Sequence, residues 1–116
     1  MFHDDCAYLP EWPGVPIGDE EGRIIHDALG TKRAILLAHH GQLVACGTME
    51  EACVLAVFIE RAARMQLMAR AVGPIKAINP DHAREAHDYR LKQKAVGATF
   101  HYFARRILKE SEEALS

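Results

Sequence analysis

Two neighbouring histidines, His39 and His40, stand directly before Gly41 and between two short apolar runs, residues 34–38 and 42–46. A buried strand that must turn there holds an imidazole at a corner, where a ring nitrogen can bind a divalent cation or pass a proton. The plain alternative is a corner histidine whose ring nitrogens are satisfied by backbone groups. The remaining histidines offer little help. His82 and His87 lie five apart, off the i,i+4 face that helical metal-binding pairs use, and His3 sits with Asp4 and Asp5 in what reads as a mobile terminus. No second ligand pair has the spacing of a self-contained metal site. The three cysteines, Cys6, Cys46 and Cys53, form no C-x-x-C pair, which excludes a zinc finger and a disulfide framework. Cys46 and Cys53 read as small packing residues. A solvated helix face is the simplest account of Arg105 and Arg106, beside Tyr102.

The elements that must position the corner follow from local signals. A short strand is expected over residues 6–9, then a rigid loop in which Pro10, Pro13, Gly14, Pro16 and Gly18 crowd together. Asp19 reads as the cap of a helix over residues 19–30, with Ile24, Ile25, Ala28 and Leu29 buried and Gly30 as the stop. The strand pair occupies residues 34–47, its first strand apolar throughout and so expected to be covered on both faces. Thr48 and Glu51 form a T-x-x-E capping box for a long helix over residues 48–73. Residues 52–59 are apolar all round, which predicts enclosure by sheet, helices or another subunit. Asn79 and Pro80 open the C-terminal helices, residues 79–110, with a break near Gly97 and fraying beyond residue 110.

At 116 residues the chain is one domain with room for a single core. With 49% hydrophobic and 26% charged residues it reads as a folded globular protein, and a formal charge of -2 provides no basic field for nucleic acid or anionic lipid. The N-terminus lacks the basic and apolar regions of a targeting segment, and no apolar run is long enough to span a bilayer. No nucleic-acid or membrane partner is expected, and a cytoplasmic setting fits the unpaired cysteines.

The string from Arg33 to Gly47, with Glu50-Glu51-Ala52-Cys53 and the run from Ile59 to Leu67, resembles the C-terminal half of the class II aldolase/adducin family. The similarity covers roughly residues 8–108. It implies an α/β fold, an α/β/α layered arrangement with a mainly antiparallel sheet, of which this chain would be a partial, C-terminal portion. It also implies a homo-oligomer, commonly a tetramer, and a metal-dependent lyase that cleaves or forms a carbon-carbon bond beside a carbonyl in sugar phosphates or hydroxy acids. Zinc or another divalent cation would polarise that carbonyl. The family's metal-binding histidine before its glycine corresponds to His40, while His39 replaces a more usual asparagine.

The family's other two metal ligands come from a His-x-His motif in its N-terminal half, together with a phosphate pocket and an acid/base residue. This sequence contains no His-x-His and is expected to begin after those parts. One imidazole does not hold catalytic zinc, so two functions stay open. The first is an aldolase-type lyase or decarboxylase of which this chain carries one ligand, inactive by itself. The second is a non-catalytic module, truncated or adducin-like, that keeps the fold and its assembly contacts.

Overall fold

The computed structural model describes residues 1–11 and 18–115. The expected loop around Pro13, Gly14 and Pro16 therefore falls mostly outside the described residues. The elements run β1 (Cys6–Leu9), α1 (Glu20–Leu29), β2 (Ala34–Leu37), β3 (Gly41–Val44), α2 (Met49–Val72), α3 (Pro80–Arg90) and α4 (Gln93–Leu115).

The three strands form a mixed sheet in the order β1-β2-β3. β1 and β2 pair in parallel, Cys6 opposite Ala34, because α1 carries the chain back across the sheet between them. β2 and β3 pair antiparallel through the histidine corner, with Ala34 opposite Val44 and Leu37 opposite Gly41. Ala7, Leu29 and Ile35 are the buried centre of one face, joined by Ile25 and Ala28 of α1 and by Leu9, Leu37 and Leu43. Gln42 donates from its side chain to the carbonyl of Ala56, 3.0 Å away, and so ties β3 to α2.

Several expectations change at the level of individual residues. The side chain of Asp19 makes no cap hydrogen bond, so the start of α1 rests on its acidic first turn, Glu20 and Glu21, favouring the helix dipole. The Thr48 side chain does accept from the Glu51 amide at 3.2 Å, but the Glu51 carboxylate turns to Arg33, so only half of a capping box forms. Burial of β2 is one-sided beyond its middle: Ala34 and Ile35 are buried while Leu36 is 38% exposed. The break near Gly97 is absent, and α4 runs unbroken through it. The chain turns earlier, at Leu91, whose backbone sits at φ -91° and ψ 0°. A single helical glycine costs only about 1 kcal/mol, which the packing of Val96 beside it outweighs. The tail beyond residue 110 stays helical to Leu115, laced by Arg106–Glu110 and Lys109–Glu113 pairs.

α2 explains why the molecule is open. Val54, Leu55 and Ile59 are buried, and α4 covers the neighbouring side through Phe58 and Phe103, whose ring centres lie 6.3 Å apart. The apolar residues 52–59 thus find much of their cover within the chain. The second half of the helix does not: residues 60–72 are all exposed, including Met65, Leu67, Met68 and Val72. The accessible surface is 8979 Å², whereas a folded monomer of this mass exposes about 6,300 Å². The radius of gyration, 16.6 Å, likewise exceeds the value of about 13 Å for a compact chain of this length. Among the described residues no helix is long and apolar enough to cross a membrane.

Candidate functional site

The corner is built by exhausting the apolar strand. After Leu37 the chain makes a turn, in which the His40 amide donates to the Leu37 carbonyl at 3.1 Å and the Ala38 amide donates to Leu9 of β1 at 3.0 Å. The turn is closed by a left-handed residue, His39 at φ 63°, a conformation in which asparagine and glycine are at less cost than most side chains. Both histidines are exposed. Beside them, between the strand pair and α2, runs a groove of about 400 Å³ with Leu36, Gly41, Gln42, Ile59, Ala63 and Leu67 among its lining. His40 is thus exposed just past the end of β2, and the residue after it, Gly41, lines the groove, to which Glu60 and Arg64 also contribute. The structure does not bring His3, His82 or His87 to it. No group of three His, Cys, Asp or Glu side chains that could hold a metal ion occurs among the described residues.

What holds the corner in place begins at the other end of β2. Arg33 precedes the strand, and its amide donates to Asp5 Oδ1 at 2.9 Å while its Nη1 donates to Asp5 Oδ2 at 2.7 Å. Its Nε donates to Glu51 Oε1, in the first turn of α2, at 2.9 Å. One guanidinium thus joins the N-terminal segment, the sheet and the long helix. His87 of α3 completes the cluster with Nε2 3.0 Å from Asp5 Oδ2 and Nδ1 2.8 Å from Asp88 Oδ1. Asp5 is the buried polar side chain at the centre. Burial by itself would raise its carboxyl, but hydrogen bonds from His87 and Arg33 outweigh that and hold it below the usual carboxylate range. The Asp5 hydrogen bond in turn pushes the Arg33 guanidinium further toward its charged form.

Reading the residues in order missed this cluster. In sequence Asp5 reads as part of a loose terminus, Arg33 only as the start of the string that runs to Gly47, and His87 as a histidine off the face of a metal-binding pair. Their partners lie 28 and 82 positions away, and no local spacing signals that. Cys6 and Cys46 are half-buried and burial pushes both thiols up, which fits packing and not nucleophilic use. Cys53, expected to pack, is exposed.

Comparison with known proteins agrees with this geometry. A solved structure, L-fuculose 1-phosphate aldolase from Glaciozyma antarctica PI12, superposes with a TM-score of 0.73 at 27% sequence identity. The match covers 94% of this chain and 41% of that one, so the chain spans about two-fifths of the length of this structural relative. No curated protein matches significantly. The family model described as the class II aldolase and adducin N-terminal domain matches residues 1–67, from the N-terminal segment through the His40 corner and well into α2. That is more than half of the sequence, and the chain belongs to the class II aldolase and adducin family.

Proposed function

We propose that the chain is one portion of an aldolase-type carbon-carbon lyase, in which His40 is one ligand of a divalent cation, zinc in the first instance. The remaining ligands come from polypeptide outside these 116 residues. The observation that carries this reading is the setting of His40: an exposed imidazole at the end of an anchored strand, beside a groove, inside the segment that the family model matches. The name of the structural relative supports a small carbonyl compound of the sugar-phosphate class as substrate.

The residues in hand do not complete a metal centre. Catalytic zinc takes three protein ligands and keeps a position open, and the described residues offer His40 no such company. No catalytic step follows from this chain alone, and it is inactive as an aldolase by itself. What its own residues do is hold one ring in place: Arg33 fixes the start of β2, the ladder to β1 and β3 fixes its course, and the tight turn sets where His40 leaves the sheet. On this reading the mixed three-stranded sheet is part of a larger, mainly antiparallel one in an α/β/α arrangement, and the protein is a cytoplasmic homo-oligomer. The accessible surface in excess of a compact monomer supports further burial of that kind.

A second reading, a non-catalytic module of the adducin type that serves assembly, is favoured by the same bare surface and by the lack of a ligand cluster among the described residues. Zinc titration followed by histidine NMR separates the two. If His40 is a ligand, its ring signals shift ahead of the other histidines and His40→Ala removes the first binding event. A His40 ring that stays unmoved while others shift overturns the lyase reading, and retro-aldol turnover by the pure chain overturns the claim that it is inactive alone.

A further inference from the structure

We propose that the face of the sheet turned away from α1, beside the second half of α2, is the seat of an amphipathic helix supplied by polypeptide outside these 116 residues. The two faces of the sheet differ. Ala7, Ile35 and Leu43 stand in one row across the three strands and pack with Ile25 and Ala28 of α1. Side chains alternate along a strand, so the adjacent row, Tyr8, Leu36 and Gln42, points the other way. α2 meets that row at Gln42, whose side chain donates to the Ala56 carbonyl. Farther from α2 the row lies open, with Leu36 38% and Tyr8 63% exposed.

The open row and α2 form a notch. Ile59, Ala63 and Leu67 recur at i,i+4 on α2 and, with Leu36, line the groove of about 400 Å³. Residues so spaced make a ridge of the kind that packs against a second helix. The dimensions also suit a helix. β1 lies two strand spacings from β3, about 9.6 Å, and packed helices lie about 8–10 Å apart. A helix laid over β1 and β2 therefore rests on Tyr8 and Leu36 and meets the ridge of α2 at its side. Glu60 and Arg64, paired at 3.0 Å, put both signs of charge on the rim, which suits an apolar stripe flanked by lysine and glutamate.

Other occupants fit less well. A small ligand needs converging polar groups, whereas the Gln42 amide is engaged with Ala56 and Glu60 with Arg64. A second copy closing a two-fold dimer needs a self-complementary patch, and a hollow does not fill its own image. The exposed stripe of Met65, Met68 and Val72 is a separate surface, on roughly the opposite side of α2 from Ala63 at about 100° per residue. Polypeptide outside the chain is the remaining source. The match leaves about three-fifths of the structural relative uncovered, and the accessible surface here exceeds that of a compact monomer. The proposed seat thus rests on the reading of the chain as one portion of a larger fold, and it involves neither His40 nor a metal.

Two probes, read by amide NMR on the full chain without added metal, test the seat. The first is a synthetic peptide of about 18 residues, about 27 Å of helix, with leucines along one stripe and lysine and glutamate elsewhere. It should gain helicity on binding and shift Tyr8, Leu36, Ala63 and Leu67 to saturation. Ala63 is exposed, so Ala63→Asp spares the fold of the chain, and it should weaken the peptide at least about tenfold by setting a charge against the apolar stripe. Met68→Lys should leave the affinity unchanged. The second probe is the portion of the structural relative outside the match, supplied as overlapping synthetic peptides, at least one of which should displace the first. A first peptide that does not bind, that shifts only Met65, Met68 and Val72, or that ignores Ala63→Asp overturns the seat. Shifts of Tyr8 and Leu36 that grow with chain concentration alone give the notch to a second copy and overturn the occupant, as does a second probe that displaces nothing. A His40 ring unmoved by zinc in a chain that still seats the peptide overturns the lyase reading alone.

Discussion

Arg33 and Asp5 meet twice, once through the Arg33 amide and once through its guanidinium at 2.7 Å, and this double contact joins the start of β2 to the segment before β1. The second arm of the guanidinium reaches Glu51 at the beginning of α2. The other end of β2 closes in an exposed turn at His39 and His40. The clamp thus fixes where the strand that leads to His40 begins.

Removing the clamp should cost stability in a pH-dependent way. Asp5→Ala should destabilise the chain by about 2–3 kcal/mol in urea unfolding near neutral pH, the range for losing charge-assisted hydrogen bonds from a buried carboxylate. The lower end is expected because Arg33 is partly exposed and keeps Glu51. The folded carboxyl lies below its unfolded value, so its contribution is fully present above the unfolded value and disappears as pH falls through the depressed one. Wild type should lose stability in that acid window, and Asp5→Asn should lose less there. Parallel acid-unfolding curves for the two would refute the assignment.

The turn at His39 makes a different demand. At φ 63° this residue sits where a side chain costs about 1 kcal/mol or more, and β-branched ones cost most. His39→Gly and His39→Asn should be neutral or slightly stabilising, whereas His39→Val should be destabilising by at least about 1 kcal/mol. Thermal unfolding of the three variants checks the order. A Val variant as stable as the Gly variant would mean that the turn relaxes freely and does not fix His40.

What the sequence made legible and what it hid divide along physical lines. The strand pair around His39 and His40, the helix from Thr48 to Gly73 and the Asn79 cap were readable because each is written in adjacent residues: apolar runs, a glycine, a capping side chain that accepts from the Asp81 amide. The family was readable for the same reason, from the Arg33 to Gly47 string. The Asp5–Arg33–Glu51–His87 cluster was not, because its members come from four segments far apart in the chain and no local pattern links them. The reach of enclosure along α2 also escaped, since the all-round apolar stretch finds cover on α4 while the more mixed half beyond it lies bare.

The two halves of α2 should respond to truncation in opposite ways. Leu55 is fully buried, so Leu55→Ala should cost about 2–5 kcal/mol, the transfer loss plus an unfilled cavity. Leu67, similar in chemistry but 72% exposed, should change the stability of the isolated chain by no more than about 0.5 kcal/mol. Chemical denaturation of both variants at low concentration makes the comparison. A large loss in Leu67→Ala would show that the bare half is already covered in solution.

Self-association is the last expectation, and the structure moves its cause along the helix. Residues 52–59 suggest it by composition, yet in the second half of α2 it is Met65, Leu67, Met68 and Val72 that lie exposed. The first, third and fourth recur at helical spacing and form one stripe. The surface in excess of a compact monomer is roughly 2,700 Å², well above the 800 Å² or so that each partner gives to an ordinary stable interface. The isolated chain should therefore sediment as a concentration-dependent oligomer. Met65→Lys combined with Met68→Lys should shift it to monomer without lowering the midpoint of unfolding at low concentration, because neither residue supports the fold of one copy. An oligomer that survives this double substitution would place the contact elsewhere, and a wild-type monomer at all concentrations would remove the bare half of α2 as a reason for assembly.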